Sequence, residues 1–164
     1  MHHIRVARRE DCKSIVRLIQ LLADYQDMSD GPKLTAEKLE EDGFGSEPAF
    51  HCNVATIDDI CVGYTLYTYG FSTFYGPNVY MEDLFVMKEH RGKGIGADLW
   101  RSVVKESLEK GCSTFDFSVL RHNSSSIEFY ERKGAKNKTR LDNWDTYNLD
   151  RKGMELLVNG SRRT

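Results

Sequence analysis

Proline is scarce in this sequence, with three residues in 164, and tryptophan is scarcer at two. The prolines, Pro32, Pro48 and Pro77, fall where loops are expected, so none breaks a periodic segment. Cysteine occurs four times, as Cys12, Cys52, Cys61 and Cys112, and never in a CxxC pair. That excludes the common zinc and dithiol motifs, and a chain of this length needs no disulfide staple to hold a core. The four are read as reduced, mostly buried thiols in a reducing compartment. No run of about 18 apolar residues occurs, which excludes a helical membrane span. Residues 1–5 lack the apolar stretch of a signal peptide, so a cytoplasmic location is expected. Neither sign of charge dominates: 23 Lys and Arg stand against 25 Asp and Glu, for a net charge of -2. Only Arg162 and Arg163 form a basic end, so no nucleic-acid partner is expected. His2 and His3, adjacent at the chain end, are read as solvated, and no metal is expected.

What is present reads as one domain over 1–164. Residues 4–7 predict a short strand. Glu10 and Asp11 place acidic groups at a helix start, where they suit the dipole. Ile15, Leu18, Ile19 and Leu22 recur at helical spacing to about Tyr25. Thr35 is a candidate cap for a second helix, broken by Asp42-Gly43-Phe44-Gly45. Strands are expected over 52–57 and 60–69, joined by Asp58-Asp59, with a loop over 70–77 and a third strand over 79–87. A helix over 97–110 carries Leu99, Val103, Val104 and Leu108 on its core face, followed by a strand over 114–120. A helix over 124–133 ends at Gly134, which is read as its C′ residue. A last strand over 143–149 and a short helix complete the order. The result is an α/β fold with a mixed, mostly antiparallel central sheet and helices on both faces.

The most informative segment is Val86-Met87-Lys88-Glu89-His90-Arg91-Gly92-Lys93-Gly94-Ile95-Gly96-Ala97. A strand ends, three alternating glycines follow, and a helix begins. Glycine permits positive φ and close approach of backbone to a ligand. The first N–H groups of the helix favour a bound anion, so the segment makes a phosphate cradle mostly of main chain. It lacks the GxxxxGK[ST] of a Walker A loop and has GxGxG in place of GxGxxG.

The run matches R/Q-x-x-G-x-G/A as Arg91-x-x-Gly94-x-Gly96, and so resembles the GNAT-type N-acetyltransferases, which use that signature to bind the diphosphate of coenzyme A. The resemblance covers nearly the whole chain and is closest to the diamine (spermidine/spermine) acetyltransferases and their thialysine acetyltransferase relatives. Asp11-Cys12, Arg17-Leu18-Ile19, Glu41-Asp42-Gly43-Phe44-Gly45, His51-Cys52, the stretch from Tyr80-Met81-Glu82-Asp83 through Leu84-Phe85-Val86-Met87, and Phe129-Tyr130-x-x-x-Gly134-Ala135 carry it. It implies acetyl-CoA as co-substrate, a small polyamine, diamine or thialysine-like amine as acceptor, and a homodimer. Glu82 matches the carboxylate on the amine side, and Tyr130 the tyrosine near the thioester sulfur. Leu84, Phe85 and Val86 match the segment that pairs with the pantetheine arm, and Arg91, Gly92, Lys93, Gly94, Ile95, Gly96 and Ala97 the diphosphate loop. Asn123, Ser124, Ser125 and Ser126 match a further cofactor-contacting turn. Tyr25, Gln26 and Asp142 fall where the family contacts substrate. The chain departs from the polyamine enzymes in having Gln26 in place of an acid and Arg121-His122 in place of an acid and a tryptophan. Val119-Leu120 is closer to the thialysine branch.

The chemistry of amine acetylation gives these residues roles. An alkylammonium of pKa about 10.4 must lose a proton before it attacks a thioester. A carboxylate within reach, Glu82, can accept that proton. Asp83 is expected on the opposite face of its strand unless a bulge intervenes. Charge developing on the carbonyl oxygen needs a backbone N–H freed from a ladder, with Leu84 or Phe85 as candidates if a bulge lies there. The leaving thiolate needs a proton donor, and a phenol such as Tyr130 is suitable. Asp27, Asp30 and Asp145 read as solvated loop acids. Trp144, Phe71, Phe74 and Tyr75 line a cleft, form an interface or pack. A protein lysine or N-terminal acceptor, or a coenzyme A sensor without catalysis, are the alternatives; the presence of both Glu82 and Tyr130 argues against the sensor.

Overall fold

Two consecutive aspartates turn the chain at its first hairpin. Asp58 and Asp59 both take left-handed backbone, with φ of 48° and 62°, as a two-residue turn between twisted strands requires. They join β2 (His51–Ile57) to β3 (Ile60–Ser72). β4 (Gly76–Val86) returns antiparallel along β3. The stretch expected as a loop over 70–77 is therefore mostly strand, because ladder pairs continue through Gly70↔Asn78 and Phe71↔Pro77 to Ser72↔Gly76. The Ser72 hydroxyl accepts from the N–H groups of Phe74 and Tyr75 and closes the tip.

The computed structural model describes residues 1–142 and 146–160, which fall into two compact units, Met1–Ser118 and Val119–Thr164. The first unit begins with β1 (His3–Val6), α1 (Cys12–Tyr25) and α2 (Ala36–Phe44), and ends with α3 (Ile95–Glu109) and β5 (Thr114–Phe117) around the strands above. The sheet order is β1-β2-β3-β4-β5, antiparallel except for the parallel β4–β5 pair that α3 connects.

Helices cover both faces of this sheet. Ile15 and Leu18 of α1 and Leu39 of α2 pack with Cys52, Val54, Tyr64 and Phe85. Ile95 and Leu99 of α3 pack with Ala55, Val62 and Val86 on the other face. A register shift at Ala55/Thr56 lets Val62 and Tyr64, two residues apart, join opposite faces. Ile15, Leu18, Leu99 and Val103 are fully enclosed, and each such side chain contributes about 1.5–3 kcal/mol. Leu108 departs from the expected core stripe and is exposed. Ser107 takes the buried position, with its hydroxyl donating to Val103 O at 2.7 Å.

Thr35 caps α2 as expected, its hydroxyl accepting from the Lys38 N–H at 3.2 Å. The helix does not break at Asp42-Gly43 but runs on to Phe44. Gly43 lets the Phe50 ring rest on the helix, since a Cβ there would lie 2.2 Å from Phe50 Cζ. His2 is not free in solvent: its Nε2 lies 2.8 Å from Asp98 Oδ2 in the first turn of α3. Cys12 and Cys52 are buried, Cys61 and Cys112 half-buried, and none is bridged.

The second unit contains α4 (Ser124–Glu131), α5 (Lys138–Leu141) and α6 (Arg151–Gly160). Gly134, at φ 95°, follows the end of α4, and its N–H donates to Glu131 O. In the expected last strand, 143–145, with Trp144 and Asp145, lie outside the described residues. The remaining residues 146–149 form no strand, and Tyr147 and Leu149 are exposed. Strand-forming side chains do not make a strand without a neighbouring ladder.

Asp11 does more than suit a helix dipole. Arg5 of β1 donates to both of its carboxylate oxygens, at 2.6 and 2.9 Å, and the Arg8 N–H adds a third bond at 2.7 Å. The Arg5 bond holds the Asp11 carboxyl below the usual carboxylate range. A carboxyl depressed in the folded state stabilises above its unfolded pKa, and the contribution is lost as pH falls through the folded value. Asp11→Asn is expected to cost about 1.5–3 kcal/mol at pH 7, the worth of a hydrogen bond to a charged group. It should also flatten the decline in stability below about pH 4. Urea unfolding of both proteins at the two pH values checks this; equal acid slopes would contradict it.

Candidate active site

β4 and β5 run together over four pairs, from Asn78↔Thr114 to Met81↔Phe117, and then part. β4 continues to Val86 with β3 on one edge. Among the described residues no strand pairs with its other edge beyond Met81. Met87 N–H donates to Val62 O on the β3 side. Side alternation along the strand then turns the Phe85 N–H toward β3 and the Leu84 and Val86 N–H groups toward the open edge. Of the two backbone donors expected, Leu84 and not Phe85 is available to a ligand.

The ladder does carry a bulge, but before Leu84 and Phe85, the positions where one would free a donor. Leu66 pairs with Asp83 and Tyr67 with Met81, which leaves Glu82 as the extra residue. A bulge re-aims side chains and bends its strand. Glu82 is exposed and Asp83 half-buried. Tyr64, fully buried and nineteen residues earlier, donates its hydroxyl to Asp83 Oδ2 at 2.8 Å. Burial raises the Asp83 carboxyl above its ordinary range, and the charge of Glu82 raises it further, against the Tyr64 hydrogen bond. The same burial and the Asp83 charge raise the Tyr64 phenol. No local pattern in the sequence pairs Tyr64 with Asp83, since the contact depends on the register of β3 on β4.

The glycine loop follows the open edge. Gly92 and Gly94 take φ of 74° and 83°, and a Cβ on either would meet nothing within 4 Å. The space above the loop is open, and Gly94 forms the N-cap of α3 with no side chain to occupy the helix's first N–H groups. Gly96 and Ala97 lie in the first turn, and a Cβ on Gly96 would make an ordinary 3.8 Å contact with Val86 Cγ2. That explains why the signature accepts Gly or Ala at this position but Gly alone two residues earlier. Lys93 donates to Glu89 O at 3.1 Å, and Ile95 is buried in the core. Arg91 donates through Nε to Val86 O at 2.8 Å, and its guanidinium carbon lies 4.6 Å from the Tyr25 ring centre and 5.4 Å from that of Phe85. Tyr25, expected at the substrate, thus lies beside Arg91 of the glycine loop. Gln26 is the C-cap of α1.

Within the second unit, Asn123 caps α4, its side-chain oxygen accepting from Ser126 N–H at 3.2 Å, with Ser124 and Ser125 in the first turn. Tyr130 is buried on α4, with its ring 5.0 Å from that of Phe129, and burial pushes its phenol up to about 12. A phenol raised in this way stays protonated near neutrality, so it carries a proton and does not act as a base. Asp142 ends α5, exposed and in extended backbone.

A pocket of about 170 Å³ opens elsewhere in the first unit, lined among others by Phe44, Phe50, His51, Tyr67 and Glu106. It includes neither Glu82 nor the glycine loop. Tyr67 and Tyr69 both donate to Glu106, at 2.7 and 2.9 Å.

The model of the acetyltransferase (GNAT) family matches residues 6–135. A thialysine N-epsilon-acetyltransferase of Sus scrofa is 39% identical over 163 residues, covering 94% of this chain and 96% of its own. A spermidine/spermine N(1)-acetyltransferase-like protein 1 of Homo sapiens is 33% identical over 161 residues, 94% of this chain but 23% of its own. An integron cassette protein from the mobile metagenome of V. cholerae superposes with a TM-score of 0.77 at 23% identity, covering 96% and 97% of the two chains. That likeness speaks for the fold alone.

The loop makes a prediction about its glycines. Gly94→Ala forces a side chain into left-handed backbone and is expected to cost about 1–2 kcal/mol. Gly96→Ala, in helical backbone with room for a methyl, is expected to be neutral or slightly stabilising. Denaturant unfolding of the two variants decides it; equal losses would show that space, not backbone conformation, sets the requirement.

Proposed function

Because the chain belongs to the acetyltransferase (GNAT) family, we propose that this acetyltransferase moves acetyl from acetyl-CoA to the primary amine of a small thialysine-like or diamine acceptor. The observation that carries the reading is the open edge of β4 running directly into the glycine loop. Among the described residues no strand takes up the donors of this edge, and the loop offers a helix N-terminus with open space above two left-handed glycines. An extended amide-bearing arm ending in a diphosphate suits such a strand-then-helix surface, since an extended chain can add to a free sheet edge.

In this reading Arg91, Gly92, Lys93, Gly94, Ile95, Gly96 and Ala97 hold the diphosphate, and Leu84 and Val86 hold the arm above it, while Phe85, expected with them, is committed to β3 and the core. Asn123, Ser124, Ser125 and Ser126 are proposed as further cofactor contacts. When bound, the thioester supplies an activated acetyl group and a thiolate leaving group. Glu82, exposed at the bulge, accepts the proton that the incoming ammonium must shed. The Leu84 N–H donates to the developing oxyanion. Tyr130, held protonated, gives its proton to the leaving sulfur. Gln26 and Asp142 are assigned to the amine. We read 1–164 as one acetyltransferase domain, and the family resemblance supports a cytoplasmic homodimer needing no metal.

The acceptor class rests on the relatives' names and on Gln26, which removes a negative charge where polyamine enzymes carry one. Thiol release from acetyl-CoA is expected with thialysine and short diamines ahead of spermidine, and weakly or not at all with peptides. Failure to release thiol with any amine, together with failure to bind acetyl-CoA, would overturn the assignment. Tyr130→Phe is expected to lower kcat roughly tenfold or more with the fold intact; unchanged turnover would remove Tyr130 from the mechanism.

The two carboxylates are separable. Glu82→Gln is expected to lower kcat/KM by about a hundredfold. Asp83→Asn keeps an acceptor for Tyr64 and should keep most activity. Its signature is in stability. A carboxyl raised in the folded state stabilises below its unfolded pKa, and that contribution is lost as pH rises through the folded value. Asp83→Asn should therefore not show the loss of unfolding free energy that the native protein suffers as pH rises above about 4. An inactive Asp83→Asn beside an active Glu82→Gln would move the proton acceptor to Asp83.

A further inference from the structure

We infer that Tyr25 is a positioning residue for Arg91 on the cofactor side, and not a contact to the amine. The inference rests on the reading of Arg91 as a diphosphate ligand. Tyr25 is the last residue of α1 and is half-exposed. Its ring lies 4.6 Å from the guanidinium carbon, closer than that of Phe85 at 5.4 Å. Phe85 is fixed in the core, so the exposed Tyr25 is the contact that a change at the end of α1 would remove. The Arg91 Nε–H is committed to Val86 O at 2.8 Å. One carbonyl and two rings thus hold a long, flexible side chain, and the four N–H groups on its two terminal nitrogens are not used by that bond. A guanidinium fixed in this way loses less freedom when it meets an anion than one that must be ordered on binding.

The same geometry argues against Tyr25 as an amine contact. A ring already facing one cation offers a poor site for a second, because the ammonium would be repelled by Arg91 as well as attracted by the ring. Residue 25 is therefore reassigned from the acceptor to the acetyl donor.

Three measurements test this on the whole protein. In the free protein, the Arg91 Nε–H proton resonance is expected to carry an aromatic ring-current shift that falls in Tyr25→Leu and is kept in Tyr25→Phe. By titration calorimetry, Tyr25→Leu should weaken acetyl-CoA binding by roughly two- to fivefold, the range of an exposed cation–π contact, while Tyr25→Phe stays near the native value. In the Arg91→Lys background, Tyr25→Leu should have no such effect. In steady state the KM for acetyl-CoA should rise and the KM for the amine stay fixed. A raised amine KM with unchanged acetyl-CoA affinity would overturn the inference and restore Tyr25 to the acceptor site. No acetyl-CoA binding by the native protein would overturn the diphosphate reading itself; the resonance shift, read without ligand, tests the stacking separately.

Discussion

The separation of β4 from β5 after Met81 is the constraint on which the site depends. A strand in mid-sheet normally has both rows of backbone groups satisfied by its neighbours. Here β3 supplies one row as far as Val86, while the parallel partner stops at Phe117. The strand remains rigid, because it is still paired along one full edge, yet it offers donors and acceptors on the other. The bulge at Glu82 falls just where the second partner ends. An extra residue there re-aims the strand and sets two consecutive carboxylates in different surroundings, one exposed and one under the Tyr64 hydroxyl. The glycine loop then begins where β4 stops. One strand thus joins an acidic point, an open edge and an anion cradle in sequence order.

Much of this was legible in the residues themselves. The Asp58-Asp59 turn, the Thr35 cap, the Gly134 terminus and the stripe of α1 all follow from local chemistry and appear as expected. The glycine loop was legible for the same reason, since positive φ at Gly92 and Gly94 is written into the residue type. Family likeness supplied what spacing alone could not, namely which anion the cradle suits and which tyrosine and carboxylate to weigh.

What the sequence concealed depends on register and on contacts far along the chain. The bulge at Glu82 is one such feature, because strand alternation cannot reveal where one residue is extra. Tyr64 under Asp83, and Tyr25 beside Arg91, join positions that no short window contains. Leu108 shows the opposite error: helical spacing marked it as core, but Ser107 satisfies its own hydroxyl within the helix and takes the buried place. The stretch 70–77, expected as a loop, is mostly strand because the ladder accommodates Gly70, Gly76 and Pro77 near its end.

The two ends of α3 are tied down independently of any ligand. His2 meets Asp98 in its first turn, and Tyr67 and Tyr69 of β3 both donate to Glu106 near its last. The helix whose amide groups face the cradle therefore cannot pivot without breaking bonds at one end or the other. Its donors are set in place during folding, and little ordering of main chain is left to oppose association with an anion. A helix N-terminus fixed in this way needs little reordering of its own main chain before it meets an anion.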